Sequence, residues 1–208
     1  MEYNEEQYKI IPTANGCQMS LVRRHACLLF FLILMPCCHG ARSMDLAHSY
    51  RLGPKYAPVE VVVFSDFQCA FCKRAAAEMR RINTRRPGRV KFYFKHYPLS
   101  YHPQANNAAR ASQAAGAQGK FWEMHDLLYG HATELNDEIY ADLAALLDLD
   151  VKRFNADMLS PRIADEVSAD RAKGEALGID GTPYFFIDRI PFHGSYLDLE
   201  EAIARSRR

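Results

Sequence analysis

The sequence predicts an α/β fold, a sheet joined by crossover helices, on three observations. A β-branched apolar run, Val59 to Phe64, is followed by helical text and then by the alternating Val90 to Phe94. The stretch from Pro103 to Leu177 reads as helix throughout. The chain then returns to strand at Tyr184 to Ile187 and closes on one more helix.

Each element has its own signal. Residues 41–58 are a polar lead-in with turn signals at Gly53-Pro54 and Ala57-Pro58. The first run carries a single charge, Glu60, and its length and residue types fit a buried strand. Ser65 to Cys69 makes the turn after it. Residues 70–84 follow as a helix, with Ala75, Ala76, Ala77, Met79 and Ile82 as good formers or inward positions. Arg80, Arg81, Arg85 and Arg86 crowd its carboxyl end, where cations suit the helix dipole, and Pro87-Gly88 stops it. The helical block divides into 103–118, Lys120 to Tyr129, Asp137 to Leu147, Asp150 to Met158, and a helix opened by Ser160-Pro161 and ended by Gly178. Pro191-Phe192-His193 reads as a short edge strand after a turn at Asp188-Arg189. Ser195 and Asp198 have capping-box spacing for a closing helix to about Arg205.

Size and charge bound the function. The chain has 208 residues, 49% of them hydrophobic and 25% charged, with a net charge of +1. That composition builds an ordinary core and points to neither nucleic acid nor an anionic membrane as partner. The arginines at 80, 81, 85, 86 and 89 lack interleaved aromatics, so they read as a solvated helix end.

Residues 1–40 read as a leader. Ala26 to Cys38 is apolar for about 13 residues, against roughly 20 for a membrane-spanning helix, and fits the core of a secretory signal. Arg23 and Arg24 precede it, and small residues around Gly40 suit cleavage before Ala41. Glu2, Glu5 and Glu6 suit such a signal poorly, and Met19 is an alternative start. Export to the periplasm or cell envelope is the expectation. A membrane anchor, or a lipoprotein modified at Cys37, is the alternative. The domain expected beyond the cut is 41–208.

The leader changes the cysteine arithmetic. Of six cysteines, Cys17, Cys27, Cys37 and Cys38 precede the proposed cut, which leaves Cys69 and Cys72. A bridge between residues three apart closes almost no loop, so stabilisation is a poor reason for the pair. A nucleophilic thiol must be a thiolate, and a helix N-terminus offers free N–H groups and partial positive charge to an anion. Cys69 sits there, so its pKa is expected in the depressed range, roughly 3.5–7.5. Cys72, one turn on, is expected to be more buried and to resolve a mixed disulfide formed on Cys69. A C-x-x-C pair also serves as half a zinc site, but structural zinc wants four ligands and the sequence shows no second pair. No cofactor and no metal is expected.

The stretch Val61-Val62-Val63-Phe64-Ser65-Asp66-Phe67-Gln68-Cys69-Ala70-Phe71-Cys72-Lys73-Arg74 resembles the active-site segment of the DsbA-like thioredoxin-domain family. Phe94-Lys95-His96-Tyr97-Pro98-Leu99 resembles that family's second-strand exit, and Leu177 to Ile187, with Gly181-Thr182-Pro183, its cis-proline segment. The likeness spans about residues 53–205. It implies a thioredoxin-like fold with a helical subdomain, here about 102–178, inserted between the βαβ and ββα halves. It implies that Pro183 is a cis-proline facing the cysteines, and that the Thr182 backbone pairs with substrate. It also implies disulfide exchange with unfolded, cysteine-containing exported proteins. Two departures stand out: Ala70 where relatives usually carry proline, and Val63 where they often carry a buried acid.

Three readings compete. The first is a monomeric dithiol oxidase, re-oxidised by a quinone-linked membrane partner. The second is an envelope reductase or isomerase, and the third a non-catalytic metal or peptide carrier. Phe121, Trp122, Leu127 and Leu128 read as core. His96 and His102 read as surface or capping residues, and His125, His131 and His193 as structural, with no partner by spacing.

Overall fold

The computed structural model describes residues 44–206. The predicted leader over 1–40 lies outside the described residues, as do Ala41 to Ser43 and the last two arginines.

The apolar run after the lead-in forms β2 (Val59–Ser65), preceded by a two-residue strand β1 (Arg51–Leu52). Helix α1 (Ala70–Arg85) leads to β3 (Val90–His96). Helices α2 (Ala105–Gly116), α3 (Phe121–Gly130), α4 (Ile139–Leu146), α5 (Val151–Leu159) and α6 (Pro161–Ala176) follow. The chain ends on β4 (Tyr184–Ile187), β5 (Ile190–Phe192), a 3-10 turn at Tyr196–Asp198 and α7 (Leu199–Arg205).

The sheet order is β1-β3-β2-β4-β5. β2 and β3 are parallel, with Val61 opposite Phe92 and Ser65 opposite His96. β4 runs antiparallel to β2, and β5 antiparallel to β4. The central strand is buried on both faces, which is why it reads as a continuous apolar run rather than an alternation. Val59, Val61 and Val63 join the main core with Phe92, Phe94 and the inward residues of α1 and α2. Val62 and Phe64 face the other way, onto Tyr97, Ile179 and Phe186.

Local chemistry fixes the helix ends. Ser160 accepts from Ile163 N with Pro161 in the first turn of α6. Gly178, just past α6, has φ +79, a conformation that glycine adopts without steric cost. Asp150 caps α5 by accepting from Arg153 N. The capping box of Ser195 and Asp198 is present, but it opens the 3-10 turn ahead of α7. On α1, Arg81 and Arg86 pair with Glu200 of α7 at 2.8 and 2.9 Å, and Arg80 pairs with Asp126 at 2.6 Å.

Three expectations need correction. The polar lead-in contains β1, which pairs antiparallel with β3 through Arg51–Tyr93 and Leu52–Phe92. The edge strand β5 begins at Ile190 and stops at Phe192, since the turn at Asp188-Arg189 takes two positive-φ residues and pairing resumes at once. β3 runs two residues beyond Phe94, and this reassigns His96. Along a strand alternate residues share a face, so His96 falls in line with Phe92 and Phe94. It is 1% exposed, so it is a core residue and neither a surface nor a capping one.

Candidate active site

The site is built where β2 ends. The turn from Ser65 to Cys69 is tied from inside by Asp66, whose side chain is fully buried. Its Oδ1 accepts from Gln68 N at 2.7 Å, and its Oδ2 accepts from Leu99 N at 2.8 Å. His102 Nδ1 lies 2.9 Å from the same Oδ2, so one carboxylate joins the turn to the segment after β3. Phe67 anchors the turn below, stacking on Phe94 at 5.4 Å and meeting Tyr129, His96 and His125. His125 has Asp126 as partner at 2.8 Å and His131 has Glu134 at 3.0 Å, pairs that spacing did not suggest. His193 lies apart, edge-on to Tyr184.

Cys69 is the N-cap of α1, with extended backbone and no capping bond from its side chain. Cys69 is 8% exposed and Cys72 fully buried, both as free thiols. Thr182 lies against them, and its peptide bond to Pro183 is cis. In its protonated form Cys69 Sγ donates to Thr182 O at 3.4 Å. The Thr182 hydroxyl is buried near both sulfurs without a conventional partner. The fold thus brings together all four residues singled out in the sequence: Cys69, Cys72, Thr182 and Pro183.

The two thiols are driven apart electrostatically. The Cys72 thiol donates to Cys69 Sγ, and with the N–H groups of Cys72 and Phe71 and the Thr182 hydroxyl it pulls the Cys69 pKa from 9.0 to about 5, against the opposing effect of burial. Burial first, and then the neighbouring Cys69 sulfur, push Cys72 well above the ordinary thiol value. One sulfur is therefore a thiolate near neutrality while its partner holds a proton. Phe71 is 59% exposed beside Cys69, with the Arg74 guanidinium 5.8 Å from its ring centre.

Two residues at the site were not legible as site residues. Ser65 Oγ and Tyr129 Oη are hydrogen-bonded at 2.7 Å in the interior, and the Ser65 hydroxyl opposes the rise of the Cys72 pKa. Val63 points into the core. Among the described residues, no group of three or more His, Cys, Asp or Glu is placed to hold a metal ion.

A family model described as thioredoxin matches residues 46–204. The chain belongs to the thioredoxin family. This thioredoxin-family chain is also similar to a solved thioredoxin-like oxidoreductase from Silicibacter pomeroyi DSS-3, at 28% identity and a TM-score of 0.70 over 77% of this chain and 93% of that one. The thiol-disulfide exchange protein α-DsbA2 from Wolbachia pipientis shares the fold, at 21% identity and a TM-score of 0.68 over 76% of this chain and 87% of that one. The fold is that of the DsbA-like thiol–disulfide oxidoreductases. A curated relative, Na(+)/H(+) antiporter NhaA 1 of Salinispora arenicola (strain CNS-205), is 40% identical over 154 residues, 74% of this chain and 24% of the antiporter. The chain spans about a quarter of the length of the curated relatives it matches. Among the described residues no helix is long and apolar enough to cross a membrane.

Proposed function

We propose that the chain is a dithiol oxidase that passes a Cys69–Cys72 disulfide to cysteine-containing proteins. The observation that carries this reading is the split between the thiols, with Cys69 held at about 5 and Cys72 far above it. A stabilised thiolate favours the reduced form, and a disulfide whose reduced form is favoured is a stronger oxidant. A substrate thiolate attacks Cys69 Sγ, and the bond to Cys72 breaks. The mixed disulfide is then displaced by the substrate's second thiol, which leaves Cys69 as its thiolate. Pro183 has no N–H to offer, so the Thr182 backbone is the group that pairs with an extended substrate. The leader fits action outside the cytoplasm on exported chains, with re-oxidation by a quinone-linked membrane partner.

The test is the reduction potential, read by equilibration with glutathione buffers. A value of about −120 to −180 mV supports the oxidase. A value near about −270 mV makes the chain a reductase fed with electrons.

The antiporter likeness favours a second reading, a redox module working beside an Na(+)/H(+) antiporter. On that reading, reducing the cysteine pair alters antiport in membrane vesicles that hold both proteins. A free-standing oxidase leaves antiport unchanged.

A further inference from the structure

Resolving a mixed disulfide places negative charge on Cys72 Sγ, and among the described residues no carboxylate is hydrogen-bonded to that sulfur to receive its proton. Val63 is apolar core. Asp66, the nearest acid in sequence, is already engaged by Gln68 N, Leu99 N and His102. What does reach the sulfur is a hydroxyl. Ser65 is 4% exposed, at the end of β2; its hydroxyl is hydrogen-bonded to Tyr129 Oη at 2.7 Å and lies near enough to Cys72 to act against the rise of that thiol's pKa. Tyr129 is 4% exposed on α3, wedged against Phe67 and His125.

We infer that Tyr129 and Ser65 form a donor chain that carries Cys72 through its charged state. The inference rests on the exchange reading above and adds two residues to it. The Tyr129 hydroxyl donates to Ser65 Oγ, which fixes the Ser65 hydrogen on Cys72 Sγ. Ser65 touches the reacting sulfur, and Tyr129 is a positioning residue acting through it. A buried anion that keeps a hydrogen bond avoids most of its desolvation cost, and bonds to charged groups are the stronger ones.

The electron count closes without a further reactant. With oxidised glutathione, the Cys69 thiolate attacks one sulfur, forms a protein–glutathione disulfide and expels a glutathione thiolate. Cys72 then passes its proton to solvent water and attacks Cys69 Sγ. The S–S bond to glutathione breaks, and the second glutathione leaves with its electron pair and takes a proton from water. In the oxidase direction Cys72 is the leaving sulfur of the first step, and the same donor receives the charge as it appears.

The experiment mixes reduced protein with oxidised glutathione, quenches at intervals and counts the adduct. Tyr129→Phe and Ser65→Ala are expected to leave attack by Cys69 at its wild-type rate and to slow resolution by about tenfold or more, so that adduct accumulates. Ser65→Thr, which keeps a hydroxyl on a strand that accepts β-branched residues, is expected to resolve at close to the wild-type rate. Parallel slowing of both steps, or loss in Ser65→Thr equal to that in Ser65→Ala, would mean that the pair is only packing and would overturn the inference. Wild-type resolution in both deletion variants overturns it as well. A wild-type protein that forms no adduct at all overturns the exchange reading instead, so the two failures are distinct.

Discussion

Cys69 Sγ and the carbonyl oxygen of Thr182 lie 3.4 Å apart across 113 positions of sequence. The contact joins the start of α1 to the lead-in of β4, so the Cys69 sulfur faces the Thr182 backbone as well as the Cys72 thiol. On the exchange reading the cysteines have unequal roles, and single substitutions separate them. Cys69→Ser is expected to reduce exchange with glutathione to background. Cys72→Ser keeps the nucleophile and loses the release step, so mixed disulfides with substrate accumulate and appear as mass adducts on non-reducing gels. Equal adduct yields from both variants would contradict the assignment.

The Cys69 pKa sets a pH window. Its folded value is about 5 and its ordinary value 9.0. A depressed folded pKa stabilises the native state above the ordinary value, and that contribution fades as pH falls through the folded one. Reduced protein should thus gain stability between about pH 5 and pH 9 relative to its oxidised form, which has no thiol to titrate. Denaturant midpoints of the two forms across that range check the sign. Alkylation of Cys69 should reach its plateau already near pH 6, one unit above the midpoint.

Gly174 tests the packing of α6 on the sheet. A Cβ there would sit 2.6 Å from the Tyr97 ring and 3.2 Å from Phe64. Tyr97 cannot yield easily, because its hydroxyl donates to Ile179 O at 2.7 Å. Gly174→Ala gains helix propensity, up to about 1 kcal/mol, but overpacking costs about 1–3 kcal/mol. The urea midpoint should fall, and a raised midpoint would show that the interface is slack.

Lys95 and Asp170 form an interior ion pair at 2.7 Å, and His96 N also donates to Asp170 at 3.0 Å. Burial raises the Asp170 pKa, and Lys95 opposes it. Removing one partner strands a charge, so Asp170→Ala should cost about 3–5 kcal/mol. Lys95→Met combined with Asp170→Leu should recover most of that loss, as read from thermal unfolding of both variants.

Several of these relations were legible in the sequence and others were not, for physical reasons. The central strand, α1 and the helical block are announced by runs of one residue class, and the cysteines by a motif three residues long. Strand β1 is not, because two residues carry no period and its partner lies some forty positions away. The alternation Val-Lys-Phe-Tyr-Phe carries the reading of β3 only to Phe94, just before Lys95. Its charge is answered 75 residues later by Asp170, so the strand continues and buries His96 with it. Ser65 and Tyr129 are unremarkable residues 64 apart, and only the fold makes them neighbours.

The strand lengths have a consequence for life at high concentration. One flank of the sheet is β1, with two residues, and the other is β5, with three, one of them Pro191. A foreign strand approaching either flank meets few unpaired amides, and proline removes one more. Long open margins would offer other extended chains, and further copies of this one, a template for sideways growth. On the exchange reading, blunt margins would let the cysteines meet an unfolded chain without the sheet being stitched to it.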